Sequence, residues 1–240
     1  MNEKEKQEYL EYILSRKSSS KHNYHKECLK ELEDFQSIHC HKPRVLLHVC
    51  CIVCACWPIQ FLLENGCEVA LYYYNPNIYP EEEYQHRLAE IKRYIHERYQ
   101  DSIPVIEGEY TYPVYESTVL KNRSTDPEGW KSCFGCYADR MKTVFQYGQE
   151  NGFDYFTTVM TFSRQKDSQK LNEIGLQLDT LFHDTKYLVS DFKKANGALI
   201  SAAICDEYNI YRQSYCGCRY SKLEREQANS KMISVSSTER

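Results

Sequence analysis

The stretch RVLLHVCC, residues 44–51, decides how this chain is expected to fold. It is short, apolar and rich in branched side chains, which is the composition of a strand buried on both faces. The segment WPIQFLLENG (57–66) comes soon after it and has the pattern of a helix that opens near Pro58 and stops at Gly66. A buried strand followed by a helix is the first part of a parallel β-α-β unit.

Strands and helices continue to alternate along the rest of the chain. Further strands are predicted in CEVALYYYNPN (67–77), IPVIEGEY (103–110) and FDYFTTVMTF (153–162). Helices are predicted over 80–99, over 133–151 and from residue 163 onward. The expected fold is therefore α/β, with a Rossmann-like, mostly parallel sheet and helices on both faces.

Composition sets the expected domain boundaries. Residues 1–42 are rich in Lys and Glu, with apolar residues at roughly helical spacing, and are predicted to form a helical N-terminal extension. The α/β domain is predicted over 43–223, with 111–132 irregular and 198–211 mixed. The polar residues 224–240 are expected to form a flexible tail.

Composition also limits the class of protein. Of the 240 residues, 42% are apolar, and the formal net charge is −4, so bulk charge argues neither for nor against a nucleic-acid partner. No apolar run is long enough to span a membrane, and the first residues, MNEKEKQEYLEYILSRK, are too charged for a secretory signal. We therefore expect a cytoplasmic protein without a membrane partner, in a compartment where structural disulfides are rare.

Twelve cysteines are unusual in such a protein, and seven of them fall into three groups. Clustered cysteines in a reducing compartment indicate metal ligands or redox groups. The groups are C-C-x-x-C at Cys50, Cys51 and Cys54, C-x-x-C at Cys133 and Cys136, and C-G-C at Cys216 and Cys218. Seven thiolates exceed the four that one zinc ion or one iron–sulfur cluster uses, so two adjacent metal sites are predicted.

Spacing bears on which metal is bound and how the thiols are oriented. Cys50 and Cys51 are neighbours on a predicted strand, so they are expected to point to opposite faces and to serve different sites. Four-cysteine zinc sites usually contain two C-x-x-C pairs, and only one pair here has that spacing, which favours iron–sulfur chemistry. A zinc-binding RNA-binding protein without redox activity remains the alternative. A nucleotide-dependent sulfur-transfer enzyme is disfavoured, because the first strand ends in cysteines and not in a glycine-rich phosphate loop.

The cysteine groups lie within longer strings that resemble the cobalamin-independent epoxyqueuosine reductases of the QueH type. The matching strings are LLHVCCIVC (46–54), YYNPNIYPEEEYQHR (73–87), EGWKSCFGCYADRM (128–141), FTTVMTFSRQK (156–166), DFKKANG (191–197) and YRQSYCGCRYS (211–221). Their order and spacing fit as well. Trp130 and Ser132 depart from the family's pattern.

The resemblance implies a function for the predicted α/β domain. It implies reduction of epoxyqueuosine to queuosine at the wobble position of a tRNA with a GUN anticodon, a two-electron removal of the epoxide oxygen. It also implies a [4Fe-4S] cluster with an adjacent mononuclear iron, held by the seven cysteines, and a ferredoxin- or flavodoxin-like electron donor. How the seven cysteines divide between the two sites does not follow from the sequence.

The reaction implied by the resemblance requires protons and a bound tRNA. Removing the oxygen as water consumes two protons as well as two electrons, and the predicted donors are Asp191, Tyr137 and Tyr215. Polar and basic residues in or beside the matched strings are predicted to contact the tRNA. They are Asn75, Asn77, Tyr79, Arg140, Ser163, Lys166, Lys193 and Arg212, with Lys170, Lys194 and Arg219 close by in sequence.

Overall fold

A five-stranded sheet organises the chain. The computed structural model describes residues 2–19 and 21–238. The strands are β1 (Arg44–His48), β2 (Glu68–Tyr73), β3 (Val105–Glu107), β4 (Tyr155–Thr158) and β5 (Lys186–Tyr187). They are ordered β3-β2-β1-β4-β5, and each neighbouring pair runs parallel. The predicted α/β class is confirmed, and the described sheet is parallel throughout.

Helices connect the strands and cover both faces of the sheet. The α-helices are α1 (Glu3–Leu14), α2 (Tyr24–Ile38), α3 (Ile52–Glu64), α4 (Glu81–Tyr99), α5 (Tyr112–Thr118), α6 (Lys131–Glu150), α7 (Ser168–Asp179), α8 (Gly197–Glu207) and α9 (Arg219–Thr238), and a 3-10 helix spans Val159–Phe162. Within the part of the chain that the structure describes, no helix is both long and apolar enough to cross a membrane.

The direction in which strands are added reverses at β1. The chain steps outward from β1 to β2 and β3, and then returns to the other side of β1 to form β4 and β5. Val45 in β1 lies opposite both Val69 in β2 and Tyr155 in β4. Connections that leave β1 and β4 toward opposite faces open a crevice at the carboxyl ends of the strands. This crevice lies just beyond His48, where the cysteines begin.

Two apolar cores lie on the two faces of the sheet, and β1 contributes to both. Val45 and Leu47 pack on one face with Ile59 of α3. Leu46 packs on the other face with Phe145 of α6. This alternation is the two-residue period of a strand, and it explains why β1 is apolar at successive positions.

The N-terminal extension is helical, as predicted, and packs into the fold. Ile13 of α1 and Leu32 of α2 belong to the two different cores. Lys170 of α7 is almost fully buried, and its ammonium donates to the Ile13 carbonyl at 2.8 Å and to Glu173 at 2.7 Å. Lys170 therefore anchors α1 and is not available to contact a tRNA together with the predicted basic residues near it in sequence. Met1 and Ser20 lie outside the described residues.

Helix α3 begins earlier than the sequence pattern predicts. The predicted helix opens near Pro58, whereas the observed helix begins at Ile52 and has Pro58 in its interior. Proline there cannot donate to the carbonyl four residues earlier, which is that of Cys54. The helix continues through this defect because nearly all of its faces are buried, so tertiary packing outweighs the lost hydrogen bond. The consequence is that Cys54 lies on a helix and not in a turn.

Other differences from prediction involve segments with weak periodicity. The segment predicted to be irregular contains α5, and the mixed segment contains most of α8. Strand β5, at two residues, was not predicted because it is too short to show a period. Residues 224–238, predicted as part of a flexible tail, belong to α9, and 239–240 lie outside the described residues.

Replacing Gly175 with alanine is expected to destabilise the fold. A Cβ at Gly175 in α7 would lie 2.2 Å from the ring of Tyr187 in β5, which is closer than any packed contact. Overpacking of this kind costs about 1–3 kcal/mol. Gly135→Ala is the matched control, because a Cβ there meets nothing within 4 Å, and alanine favours a helix by roughly 1 kcal/mol. Urea unfolding of both variants checks this, and equal midpoints would contradict it.

Candidate functional site

The seven clustered cysteines come together beyond the carboxyl end of β1, at the starts of three helices. Cys51 precedes α3, and Cys218 precedes α9. The Ser221 N–H donates to Cys218 Sγ at 3.4 Å, and the Gly129 N–H donates to Cys133 Sγ at 3.3 Å beside the start of α6. Backbone N–H groups at helix starts favour the thiolate form of cysteine, which is the form that binds metals.

The first thiol set consists of Cys50, Cys51 and Cys54. The Cys50 and Cys51 sulfurs are 3.9 Å apart, and Cys54 interacts with both. The Gln213 amide donates to Cys51 Sγ at 2.8 Å. The prediction that Cys50 and Cys51 point to opposite faces is wrong. Strand β1 ends at His48, so strand alternation no longer applies to the two residues that lead into α3.

The pKa values of the three thiols in the first set are shifted in different directions. Hydrogen bonds from Cys51 and Cys54 lower the pKa of Cys50 well below its usual value, and the nearby Lys166 and Arg140 act in the same direction. The same hydrogen bond to Cys50 raises the pKa of Cys51 to about 12. Hydrogen bonding with Cys50 and Cys51 also raises the pKa of Cys54. Within this set, Cys50 is thus the thiol whose surroundings favour the thiolate form most.

The second thiol set consists of Cys133, Cys136, Cys216 and Cys218. Burial raises the pKa of Cys133 to about 11, and negative charge on Cys136 and Cys216 contributes. Burial also raises the pKa values of Cys136 and Cys218, again with a contribution from Cys216. Cys216 is thus electrostatically coupled to the other three. The thiols divide into a set of three and a set of four.

Two cations interact with both thiol sets. Burial alone would lower the pKa of Arg140, but negative charge on Cys136, Cys50 and Cys216 raises it. Burial would likewise lower the pKa of Lys166, and charge on Cys216 and Cys50 raises it well above its usual value. Among the described residues, neither side chain forms an ion pair with a carboxylate. Arg140, which is 2% exposed, and the partly exposed Lys166 therefore lie beside the thiols, where they would offset negative charge once thiols are deprotonated.

Two further buried arginines flank the thiols, and the sequence reasoning did not identify them. Arg87 is 1% exposed, pairs with Glu83 and donates to the carbonyls of Tyr215 and Cys216. Arg123 is also 1% exposed and forms a bidentate pair with Glu224 of α9. A signal existed for Arg87, because it falls on the buried face of α4, where a charge is costly unless it is paired.

The thiols fit a metal centre in donor type and in charge, although they do not form a closed ligand shell. In the described part of the chain, no three Cys, His, Asp or Glu side chains are arranged so that they could hold a metal ion. Thiolates are the usual ligands of zinc and of iron–sulfur clusters. Nearby buried cations offset the negative charge that such a centre accumulates, and hydrogen bonds from Gln213 and Gly129 support the sulfurs.

The three predicted proton donors lie in different surroundings. Tyr137 is buried among the thiols, and burial raises its pKa well above the usual value despite the nearby Lys166. Tyr215 is half-buried and donates its hydroxyl proton to the Tyr79 carbonyl at 2.6 Å. Asp191 accepts a hydrogen bond from Ser168 at 3.1 Å and is buried. Tyr137 and Tyr215 therefore both lie near thiols, whereas Asp191 is engaged by Ser168 and Lys193.

Three residues predicted to contact tRNA are buried. The Asn75 amide donates to the Val49 carbonyl at 2.8 Å, and its oxygen accepts from Arg140 at 3.2 Å. Arg140 is 2% exposed and also donates to the Cys136 carbonyl. Asn77 is 2% exposed. In this arrangement Asn75 and Arg140 support the thiol region, and neither presents a contact that an external phosphate could reach.

Other predicted tRNA contacts lie nearer the surface. Tyr79 has the guanidinium of Arg219 4.5 Å above its ring. Arg212 is exposed and pairs with Asp206 at 2.5 Å. Lys193 is partly exposed, and its ammonium donates to the Thr161 carbonyl at 2.8 Å and also pairs with Asp191. Lys194 is exposed as well.

A cavity of about 390 Å³ opens beside Cys54 of the first thiol set. Ser163, Arg164, Gln165 and Arg212 contribute polar groups to its lining. A cavity of this size can hold one nucleobase with a substituent, and its polar groups can orient it. The segment after β4, which was predicted to carry polar residues to the site, supplies most of these groups.

His48, at the end of β1, is fully buried in its neutral form. Its Nε2–H donates to the Tyr74 carbonyl at 3.1 Å, and its Nδ1 lies 3.0 Å from the Thr158 hydroxyl, which also accepts from the Met160 N–H. The Thr158 hydroxyl therefore donates to Nδ1. Burial lowers the pKa of His48 to about 4, and the nearby Arg140 adds to this.

The folded protein is expected to lose stability as the pH falls from about 6.5 toward 4. The unfolded imidazole takes up a proton near pH 6.5, whereas His48 in the fold resists protonation down to about pH 4. The unfolded state therefore binds more protons in this window, and the loss approaches about 3 kcal/mol. Urea unfolding across this range should show a shallower dependence for His48→Gln. An identical slope for both proteins would rule out this contribution.

The fold and the site together define a class: parallel α/β proteins with a cysteine-rich, cation-lined centre at the carboxyl edge of the sheet. Comparison with known proteins identifies the family within this class. The family model described as Epoxyqueuosine reductase QueH matches residues 45–224. The chain belongs to this family, as the resemblance of its sequence strings implied, and all seven clustered cysteines fall within the matched segment.

Individual relatives are similar over most of their length. Proteins named Epoxyqueuosine reductase QueH from Staphylococcus epidermidis and Staphylococcus aureus are each 33% identical to this chain. The matches cover 88% and 89% of this chain and 90% of each relative. One of the same name from Streptococcus pyogenes is 36% identical over 75% of this chain and 70% of its own length.

Proposed function

We propose that this protein reduces epoxyqueuosine to queuosine in tRNA, at the wobble position of a GUN anticodon. Family membership supports the activity, since the relatives are named for it. The observation that carries the chemistry is the position of two cations, Arg140 and Lys166, beside the clustered thiols and without a carboxylate partner among the described residues. Such a site suits a negatively charged metal–thiolate centre next to a substrate cavity.

The two thiol sets are proposed to hold a [4Fe-4S] cluster and an adjacent mononuclear iron. The sets contain Cys50, Cys51 and Cys54 on one side, and Cys133, Cys136, Cys216 and Cys218 on the other. When bound, these groups would supply one-electron transfer and a Lewis acid. The interactions among Cys50, Cys51 and Cys54 and among the other four thiols support a division into three and four, and which set holds which group is left to experiment.

The protein's own residues would bind the base, balance charge and supply a proton. The cavity beside Cys54 would receive the modified base, with Arg164 and Arg212 at its lining. Tyr137 carries a phenolic proton next to the thiols and would donate it from Oη, although burial raises its pKa and so makes it a weak acid in the absence of substrate. Lys166 stays charged and would stabilise negative charge that develops on the departing oxygen.

The reaction needs an external source of electrons. Opening the epoxide to the alkene consumes two electrons and two protons and releases one water molecule. We assign the electrons to a ferredoxin- or flavodoxin-like donor in the cytoplasm, where the thiols would also remain reduced. The assignment of Asp191 and Tyr215 as further proton donors stays a prediction.

An anaerobic assay tests the proposed function directly. The protein is purified without oxygen, supplied with dithionite and tRNA that carries epoxyqueuosine, and the nucleosides are analysed by mass spectrometry. We expect queuosine to form, and the protein to be brown and to contain iron. A colourless protein loaded with zinc that binds tRNA without forming queuosine would support the zinc-binding alternative and defeat the proposal.

A further inference from the structure

A second surface near the thiols combines an aromatic ring with two cations. Trp130 immediately precedes α6 and is half-buried. The Lys17 ammonium lies 5.5 Å from the centre of its ring, and the Lys131 ammonium lies 6.0 Å from it. Both lysines are exposed, and neither forms an ion pair within residues 2–19 and 21–238.

The indole borders a cavity of about 520 Å³. Lys17 and the loop 125–129 also line this cavity. A Cβ placed on Gly129 would meet nothing within 4 Å, so the space beside the ring is open. There is therefore room for a planar group against the indole without any change in the backbone.

The charges around the cavity are arranged asymmetrically. The Asp126 carboxylate is engaged, because it accepts hydrogen bonds from the backbone and side chain of Ser132 at 2.9 and 2.7 Å. Glu128 is exposed and has no hydrogen-bond or ion-pair partner among the described residues. A phosphate would favour the lysines, while a base that presents an amino group could donate to Glu128.

The surface is directly connected to the second thiol set. The Gly129 N–H, adjacent to Trp130, donates to Cys133 Sγ at 3.3 Å. Arg16, the neighbour of Lys17, pairs with Glu173 of α7 at 2.7 Å and donates to the Lys17 carbonyl at 3.2 Å. Residues from the N-terminal extension and from the start of α6 therefore meet within one nucleotide's reach of the thiols.

We propose that Lys17, Trp130 and Lys131 form a nucleotide subsite that stacks one unpaired base of the tRNA next to the thiol region, an inference that rests on the proposed function. Unpaired anticodon-loop bases can leave the loop's stack and lie on aromatic rings. The lysines contact the flanking phosphates. The subsite gives the N-terminal extension a role in substrate binding.

Binding of RNA to the anaerobically purified, full-length protein tests the subsite. The probe is a fluorescein-labelled RNA hairpin with a GUN anticodon loop, followed by fluorescence anisotropy. We expect Trp130→Ala to weaken binding roughly 5- to 100-fold, whereas Trp130→Phe, which keeps an aromatic face, retains most of the affinity. The chain has two tryptophans, and Trp57 is buried, so RNA should quench emission from wild type but not from Trp130→Phe.

The lysines and the stacked base are tested separately. Lys17→Ala should reduce the slope of log affinity against log salt by about 0.7, and Lys142→Ala, an exposed lysine further along α6, should leave it unchanged. Abasic nucleotides are placed one at a time in the loop. At one position, loss of the base should weaken binding to wild type but not to Trp130→Ala.

The outcomes separate this inference from the proposed function. If wild type binds the hairpin and reduces the tRNA while Trp130→Ala binds equally well, the subsite is overturned and the proposed function stands. If wild type neither binds the hairpin nor forms queuosine, the proposed function fails, and the subsite fails with it. Equal loss of affinity for Trp130→Ala and Trp130→Phe would also overturn stacking, provided that both unfold in urea like wild type.

Discussion

Replacing Cys216 with serine is expected to abolish reduction of epoxyqueuosine and to remove most of the bound metal. Cys216 is the thiol whose charge is coupled to Cys133, Cys136 and Cys218, and also to Lys166. A bound metal typically contributes several kcal/mol of transition-state stabilisation, so its loss corresponds to at least about a 1,000-fold fall in rate. Iron content, the visible absorption spectrum and queuosine formation measure this.

Two cysteines outside the thiol sets serve as controls for Cys216. Cys40 is exposed. Cys56 lies two residues after Cys54 and is buried against Ser201 and Cys205. Cys40→Ser and Cys56→Ala should keep their iron and activity, with at most a loss of stability for the second. If Cys56→Ala loses iron as Cys216→Ser does, general disruption and not ligand removal would explain the result.

Replacing Arg140 with methionine is expected to damage both stability and metal loading. The change removes the donor to Asn75 and to the Cys136 carbonyl and takes a buried positive charge away from the thiols. Leaving these buried acceptors without a donor typically costs about 1–3 kcal/mol. Thiolates without this cation are also harder to form, so we expect iron content to fall at least about tenfold.

Two further variants test whether the effect of Arg140→Met depends on the position and the charge of this side chain. Arg140→Lys keeps the charge and loses the planar fork of donors, so it should fall between wild type and Arg140→Met. Lys142→Met, on the exposed face of the same helix, should behave like wild type in urea unfolding and in iron content. A wild-type unfolding midpoint and full iron content in Arg140→Met would show that the thiol region does not depend on this cation.

The local pattern of apolar and polar residues was sufficient to predict much of the fold. RVLLHVCC predicted β1, and alternation of strands with helices predicted a parallel sheet, because burial on both faces requires apolar residues at successive positions. Where local signals conflicted, prediction was less accurate. Pro58 suggested a helix start that packing placed six residues earlier, at Ile52, and the two-residue β5 gave no period to detect.

The chemistry of the candidate site was also visible in sequence, but its geometry was not. Motif spacing identified the seven cysteines, because the ability to bind a metal depends on the type of side chain, and the type of each side chain is given directly by the sequence. The direction in which Cys50 and Cys51 point depends on where β1 ends, and that depends on pairing with β2 and β4.

The sequence by itself determined the fold class, the family and the set of thiols, since these depend on periodicity and on motifs short enough to read along the chain. Tertiary structure alone decided which charges are buried. Arg140 looks like a surface cation in its own helix, and it becomes a desolvated partner of the thiols only when Asn75 and Met160 pack around it. Likewise, Lys17 and Trp130 are more than a hundred residues apart and meet only because α1 is anchored on α7. Contacts between distant segments set desolvation, and desolvation decides whether a charge binds substrate, supports a centre or anchors the fold.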